Sequence, residues 1–307
     1  MSQMKSVPYI CAIEQGPSVA SWGSVSIRSA FPFLRPKENP SHFKPVQDLV
    51  SPPSSRLIEH YIEWAGAPKS SYQDEVPPHL FSQWSIPLVT RVLHQARYPL
   101  KEIVNQGCSV KINAKIPRGE KLWLTARLIN LDESEKRIRF AVEVSTSTAD
   151  LPNAIVAVFN LILAPEISEA KIRNRKRPES DGFCISGHWS ADDDDGFRFA
   201  LLTGDFNPIH WIDPLAKRSN FGGKVLHGFA SLSRTWESIQ SLQPSSSKAD
   251  QRIEEISVKF LQPIRLPSTE LKVMTSPKTD KKGGRRLKVR GENNDLHLVG
   301  KFKFAQT

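Results

Sequence analysis

The sequence predicts an α+β protein that uses one plan twice: an antiparallel sheet wrapped round a long helix, followed by the same arrangement again. Three observations predict it. Between residues 110 and 163, successive runs alternate apolar and polar side chains, the two-residue period of half-buried strands. Residues 225–239 carry apolar side chains at helical spacing along one stripe. A second set of alternating runs then fills residues 256–304.

Taken in order, residues 1–50 are rich in Pro and Ser without a sustained period and read as an extended N-terminal arm. A short helix is expected over 56–64, with Leu57, Ile58, Tyr61 and Ile62 apolar, broken at Gly66 and Pro68. A second helical stretch follows Pro77-Pro78 with Leu80, Phe81 and Trp84 on one face. Pro87 interrupts it, and it resumes through Leu88, Val92 and Ala96 to end before Pro99. Strands follow at 110–116, 122–128 and 138–144, and 155–163 is apolar at nearly every position, as a buried strand is.

The charged stretch 166–180 reads as a linker, its basic run at 173–177 being a solvated face rather than a nucleic-acid patch. In the second half, the acidic run 192–195 leads into an apolar helix whose dipole it suits. Consecutive side chains on a helix do not converge on one ion, so that run is not a metal cluster. The long helix has Val225, Phe229, Leu232, Trp236 and Ile239 on one face, and strands 256–260, 271–273, 287–289 and 296–304 complete the half. Four units result: an N-terminal arm 1–50, a first half 51–168, a basic linker 169–182 and a second half 183–307.

Bulk properties narrow the function. A chain of 307 residues with 39% hydrophobic content can bury a full core, and no apolar run is long enough for a membrane span. Residues 1–16 lack a basic segment followed by an apolar one, so no secretory leader is expected. Cys11, Cys108 and Cys184 are odd in number and widely spaced, which favours a reducing cytoplasm over a zinc site or a disulfide framework. The net charge of +10 suits an acidic or phosphorylated cargo. Its Lys and Arg are spread out, with no basic-aromatic alternation for stacking bases, so no nucleic-acid partner is expected.

The chemistry concentrates at Thr203-Gly204-Asp205-Phe206-Asn207-Pro208-Ile209-His210. Pro208 fixes its own φ and pushes Asn207 out of the helical region, so the chain bends between Asp205 and His210 and aims both at one water. Phe221-Gly222-Gly223 and His227-Gly228 then lead into the long helix, whose first backbone N–H groups can receive developing negative charge. Singly, each residue has a plainer reading: Asp205 as a turn former, His210 as an ordinary core histidine, the glycines as packing devices. Together, at this spacing, they favour acid/base work on a thioester or other carbonyl.

Gly204-Asp205-x-Asn207-Pro208-x-His210, with Phe221-Gly222 and His227-Gly228, resembles the signature of MaoC-like dehydratases and R-specific enoyl-CoA hydratases. The resemblance is strong over 183–307 and extends to the first half only in layout. It implies a double hotdog, in which one polypeptide replaces a dimer of single hotdogs, and a homodimer of such chains is compatible with it. It implies reversible hydration of a trans-2-enoyl thioester, Asp205 and His210 activating the water and the Gly228 N–H holding the thioester oxygen. Asn207, Pro208, Gly204 and His227 would position the site. Neither metal nor cofactor is implied; coenzyme A or phosphopantetheine enters as part of an acyl-CoA or acyl carrier protein substrate. A hotdog thioesterase and a non-catalytic acyl-thioester binding protein are the competing readings. The first half lacks the motif, so its expected work is to pack against the second and line an acyl pocket.

Overall fold

The computed structural model of the protein describes residues 7–134, 137–163, 182–242 and 252–305. The linker expected at 169–182, with its basic run, lies outside these except for Gly182. In chain order the first half comprises α1 (Gly16–Ala30), β1 (Val46–Val50), α2 (Ser55–Ala65), α3 (Ser82–Leu93), β2 (Ile103–Ile112), β3 (Leu122–Ser134), β4 (Arg137–Ser147) and β5 (Ile155–Leu163). The second comprises β6 (Cys184–Ala191), α4 (Asp195–Thr203), α5 (Asp213–Arg218), α6 (Gly228–Gln240), β7 (Ile253–Phe260), β8 (Ser268–Thr279), β9 (Arg285–Arg290) and β10 (Leu296–Phe304).

The sheet shows the repetition directly. Its order is β1-β3-β4-β5-β2-β7-β10-β9-β8-β6. Each half thus arranges its strands first, third, fourth, fifth, second, and the two second strands meet at the centre. There β2 and β7 pair antiparallel, with Cys108 opposite Val258 and Val110 opposite Ile256. The two expected sheets are therefore one continuous ten-stranded sheet. The double hotdog layout holds, with α3 and α6 as the two central helices.

Packing explains each central helix. Phe229, Leu232, Trp236 and Ile239 of α6 are buried, and so are Ser231, Ser233, Arg234 and Glu237. A helix buried on nearly every side must give its polar groups partners. Arg234 pairs with Asp195 at 2.9 Å and lies over the Trp64 ring, and Trp64 Nε1 donates to Asp195 at 3.0 Å. The acidic run before α4 thus does more than suit a helix dipole: Asp195 is a buried counter-ion. In α3, Trp84, Leu88 and Val92 face the core and Pro87 stays inside the helix. Proline leaves the carbonyl four residues earlier without its helical donor. That carbonyl, of Gln83, accepts from Ser18 Oγ at 3.4 Å.

Ser18 belongs to the largest departure from expectation. The segment read as an extended arm is helical from residue 9 to 30: a 3-10 turn, Tyr9–Gln15, runs into α1. Its inner face is Gln15, Ser18, Trp22 and Val25, spaced three or four residues apart. Only one of these is aliphatic, so an apolar period could not reveal the helix.

The halves also correspond outside the sheet. Both α2 and α4 end in a left-handed glycine, Gly66 with φ 89° and Gly204 with φ 79°. Only glycine adopts that conformation without a steric cost. Gly204 is followed by Asp205, whereas Gly66 is followed by Ala67. Beyond Ala67 the first half is closed by a buried polar cluster. Tyr72 Oη donates to Glu237 at 2.7 Å, His79 Nε2 meets the same carboxylate at 2.6 Å, and Tyr61 Oη meets His79 Nδ1 at 2.9 Å and Ser233 Oγ at 2.7 Å. Because Glu237 and Ser233 are on α6, this cluster ties the halves together.

Candidate active site

The local sequence builds the site in steps. Gly204 turns the chain out of α4, and Asn207 Oδ1 accepts from the Ile209 N–H at 3.4 Å. Pro208 then opens a single 3-10 turn ending at His210. His210 Nδ1 bonds the Val225 carbonyl at 2.7 Å, which requires the proton on Nδ1 and leaves Nε2 as the uncommitted nitrogen. His227 does the converse, its Nε2–H donating to the Asp205 carbonyl at 2.9 Å. The two imidazoles stack with centroids 3.5 Å apart, and Phe199 packs against His227 at 4.9 Å.

Asp205, His210 and His227 thereby present a carboxylate oxygen and two ring nitrogens within 4.8 Å of one another. Among the described residues, Asp205 Oδ1 and His227 Nδ1 are buried without a hydrogen-bond partner. Burial raises the Asp205 carboxyl above its ordinary range, against the opposing pull of His210, the Asn207 N–H and the Trp22 indole N–H. Burial, then repulsion from His227, pushes His210 down to about 3. Burial also pushes His227 down to about 3. The site therefore holds a carboxyl group of raised basicity beside two imidazoles that are neutral near neutral pH.

Such a donor set could hold a transition metal by type and distance. Its geometry suits one poorly: rings stacked at 27° direct their in-plane lone pairs side by side, whereas ligation requires them to converge.

Gly228 is the first residue of α6, and the preceding His227 makes no side-chain cap, so the first N–H groups of the helix stay available. A Cβ at Gly228 would lie 2.7 Å from the Phe260 ring, which fixes a glycine at that place. Sequence reasoning missed Gly196 of α4, where a Cβ would overlap the His210 carbonyl oxygen. Nothing in the spacing of α4 signals that close approach.

The site opens into a cavity of about 720 Å³ that both halves line. Trp22 and Val25 come from α1, Val89 and Leu93 from α3, and Phe159 and Leu161 from β5, while Asp205, His210 and Gly228 come from the second half. The structure thus brings Asp205, Asn207, His210, His227 and Gly228 to one cavity wall, with Gly204 and Pro208 shaping the turn behind it. The apolar wall from the first half was expected only in outline, and the contribution of α1 was not expected at all.

Comparison with known proteins agrees with this arrangement. Residues 174–298 match the MaoC like domain. No curated protein matches the chain. Among solved structures, HtdX of Mycobacterium tuberculosis superposes with a TM-score of 0.66 at 17% identity, covering 85% of this chain and 100% of that one. A MaoC-like dehydratase from Phytophthora capsici gives a TM-score of 0.67 at 14% identity, covering 87% and 97%. A further M. tuberculosis protein, described as having a double hotdog fold, gives 0.56 at 12% identity, covering 87% and 97%. At these identities the superpositions establish the fold, while the domain match concerns the segment that carries the site. The chain has the double hotdog fold, and residues 174–298, which carry most of its second half, match the MaoC like domain.

Proposed function

We propose that the protein is a hydro-lyase that reversibly hydrates trans-2-enoyl thioesters of coenzyme A or acyl carrier protein to R-3-hydroxyacyl thioesters. One observation carries the reading: a carboxylate of raised basicity lies beside two neutral imidazoles, next to an uncapped helix N-terminus, in a largely apolar cavity. Asp205 accepts a proton from water as the water oxygen bonds to Cβ, and neutral His210 orients that water through Nε2. The π electrons move onto the thioester oxygen, which accepts the Gly228 N–H and lies at the positive end of α6. Asp205 then returns its proton to Cα on the same face. The elements of one water are added and nothing is oxidised, so the scheme uses no cofactor beyond the carrier of the acyl group. The three described cysteines are free thiols, which suits a cytoplasmic setting. Among the described residues no helix is long and apolar enough to cross a membrane.

The test is incubation with crotonyl-CoA and with a longer enoyl-CoA, following loss of the enoyl absorbance and release of free thiol. Loss of the double bond without thiol supports hydration. Thiol release with the double bond intact would make the protein a thioesterase, and neither signal with binding retained would make it an acyl-thioester binding protein. Geometry favours the first: a helix N-terminus at the thioester oxygen and an acid/base pair beyond it suit attack at Cβ rather than at the carbonyl carbon.

A further inference from the structure

We propose that Trp22, on the N-terminal helix, is a positioning residue for the Asp205 carboxylate; the inference rests on Asp205 being the base of the hydration site. The 3-10 turn before α1, and α1 itself, are seated against the turn that carries Asp205. Gln15 Nε2 donates to the Leu201 carbonyl near the end of α4 at 3.2 Å. Ser18 packs so closely on Gly204 that any Cβ there would overlap it. One turn further along α1, Trp22 lines the same cavity wall as Asp205. At its far end α1 is fastened to α3: Arg28 donates to the His94 carbonyl at 2.7 Å, and His94 Nε2 meets Ser24 Oγ at 2.8 Å. The helix is therefore held at both ends across the cavity, with Trp22 between the fastenings.

Chemistry identifies the pairing. The Trp22 indole N–H is buried and, among the described residues, has no hydrogen-bond partner; Asp205 Oδ1 is a buried acceptor in the same condition. Indole has a donor and no acceptor, and a carboxylate has only acceptors, so the two unmet groups are complementary. A small closing movement of α1, or one water between them, completes the contact. That Trp22 favours the charged form of Asp205 agrees with this placement. The other groups facing Asp205 are His210 and His227 together with the Asn207 N–H. Lys101, Glu102 and His297 also line the cavity.

Burial alone favours the protonated form of Asp205 and leaves its plane unfixed. A donor at the unmet Oδ1 counters both effects, favouring the ionised form and fixing the carboxylate plane so that one oxygen faces the water. The pairing also explains why residues 9–30 pack behind the site rather than trailing from the fold.

The experiment compares the full-length wild type with Trp22→Phe, which keeps the aromatic wall but removes the N–H, and with Trp22→Ala. For Trp22→Phe, kcat/KM for an enoyl-CoA is expected to fall about 10-fold with KM little changed, and the acidic limb of its pH profile to move up by about one unit. Carboxyl-carbon NMR, with the Asp205 resonance assigned through Asp205→Asn, is expected to show the same upward movement without any need for turnover. A folded Trp22→Phe protein whose Asp205 titration and acidic limb match the wild type overturns the proposal, whatever its rate. Should the wild type hydrate no enoyl thioester while the Asp205 titration still moves, the hydration reading fails and the pairing stands.

Discussion

The imidazoles of His210 and His227 stack at 3.5 Å, and each gives one nitrogen to a backbone carbonyl, of Val225 and Asp205 respectively. The pair thereby locks two loops to each other: His227 holds the backbone of the acid while the ring under it holds the strand-like entry to α6. Protonating either ring would place a positive charge against its neighbour in a buried site, which is why both remain neutral.

If Asp205 is the base and His210 orients the water, Asp205→Asn and His210→Ala each lower turnover by at least about 100-fold. Both proteins remain folded, since neither side chain fills the core. Steady-state rates beside thermal unfolding curves check this, and a folded Asp205→Asn enzyme with near-normal hydration removes Asp205 from its role.

Stability depends on pH through the neutral histidines. His94 is held down to about 4 by burial and Arg28, and His210 and His227 to about 3. An unfolded histidine titrates near about 6.5, so below that pH the unfolded chain binds protons that the folded chain refuses. Their contribution is fully present above about pH 6.5 and is lost as pH falls through about 4 for His94 and about 3 for His210 and His227. Asp205 has the opposite sign, its raised pKa letting the folded state bind a proton sooner. Urea midpoints across that window are expected to fall with acid, and His227→Asn to flatten the slope.

Two glycine substitutions separate packing from chemistry. Gly196→Ala places a methyl where the His210 carbonyl oxygen lies, and backbone cannot give way as a flexible side chain can. It is expected to cost about 1–3 kcal/mol of stability and to abolish most activity without altering any reacting group. Gly228→Ala first meets the Phe260 ring, a side chain rather than backbone, so it should keep more stability than Gly196→Ala while raising the barrier at the thioester oxygen. Unfolding midpoints and kcat measured on the same samples distinguish them.

Glu237→Ala removes the acceptor shared by Tyr72 and His79. Leaving buried donors without their acceptor typically costs about 1–3 kcal/mol for each group. Equilibrium unfolding is expected to show a loss of that order, and still a single transition, because β2 and β7 continue to join the halves.

The sequence revealed what periodicity and motif chemistry can express. The central helices, the inner strands and the turn from Gly204 to His210 all have strong local patterns, and the structure brings Asp205, Asn207, His210, His227 and Gly228 together as their spacing suggested. The edge strands β1 and β6 escaped notice, because an edge buries little and so selects weakly for alternation; β1 shows no buried residue and β6 only Ala191. The helical segment from residue 9 to 30 escaped because Gln15 and Ser18 dock through polar groups. Gly196 escaped for a different reason: what requires it is another segment's backbone, and no local pattern records that.

The cavity walls also define what can be excised. A fragment spanning 183–307 would keep every residue of the acid/base turn yet lose α1, α3 and β5, and with them the Trp22, Val89, Leu93, Phe159 and Leu161 side of the apolar lining, together with β2, the partner strand of β7. Such a fragment would expose an open sheet edge and a water-filled groove in place of a reaction chamber. The smallest unit able to exclude solvent from Asp205 is the paired architecture together with its leading helix, so insertions or fusions near residue 20 disturb the chemistry more directly than their distance along the chain suggests.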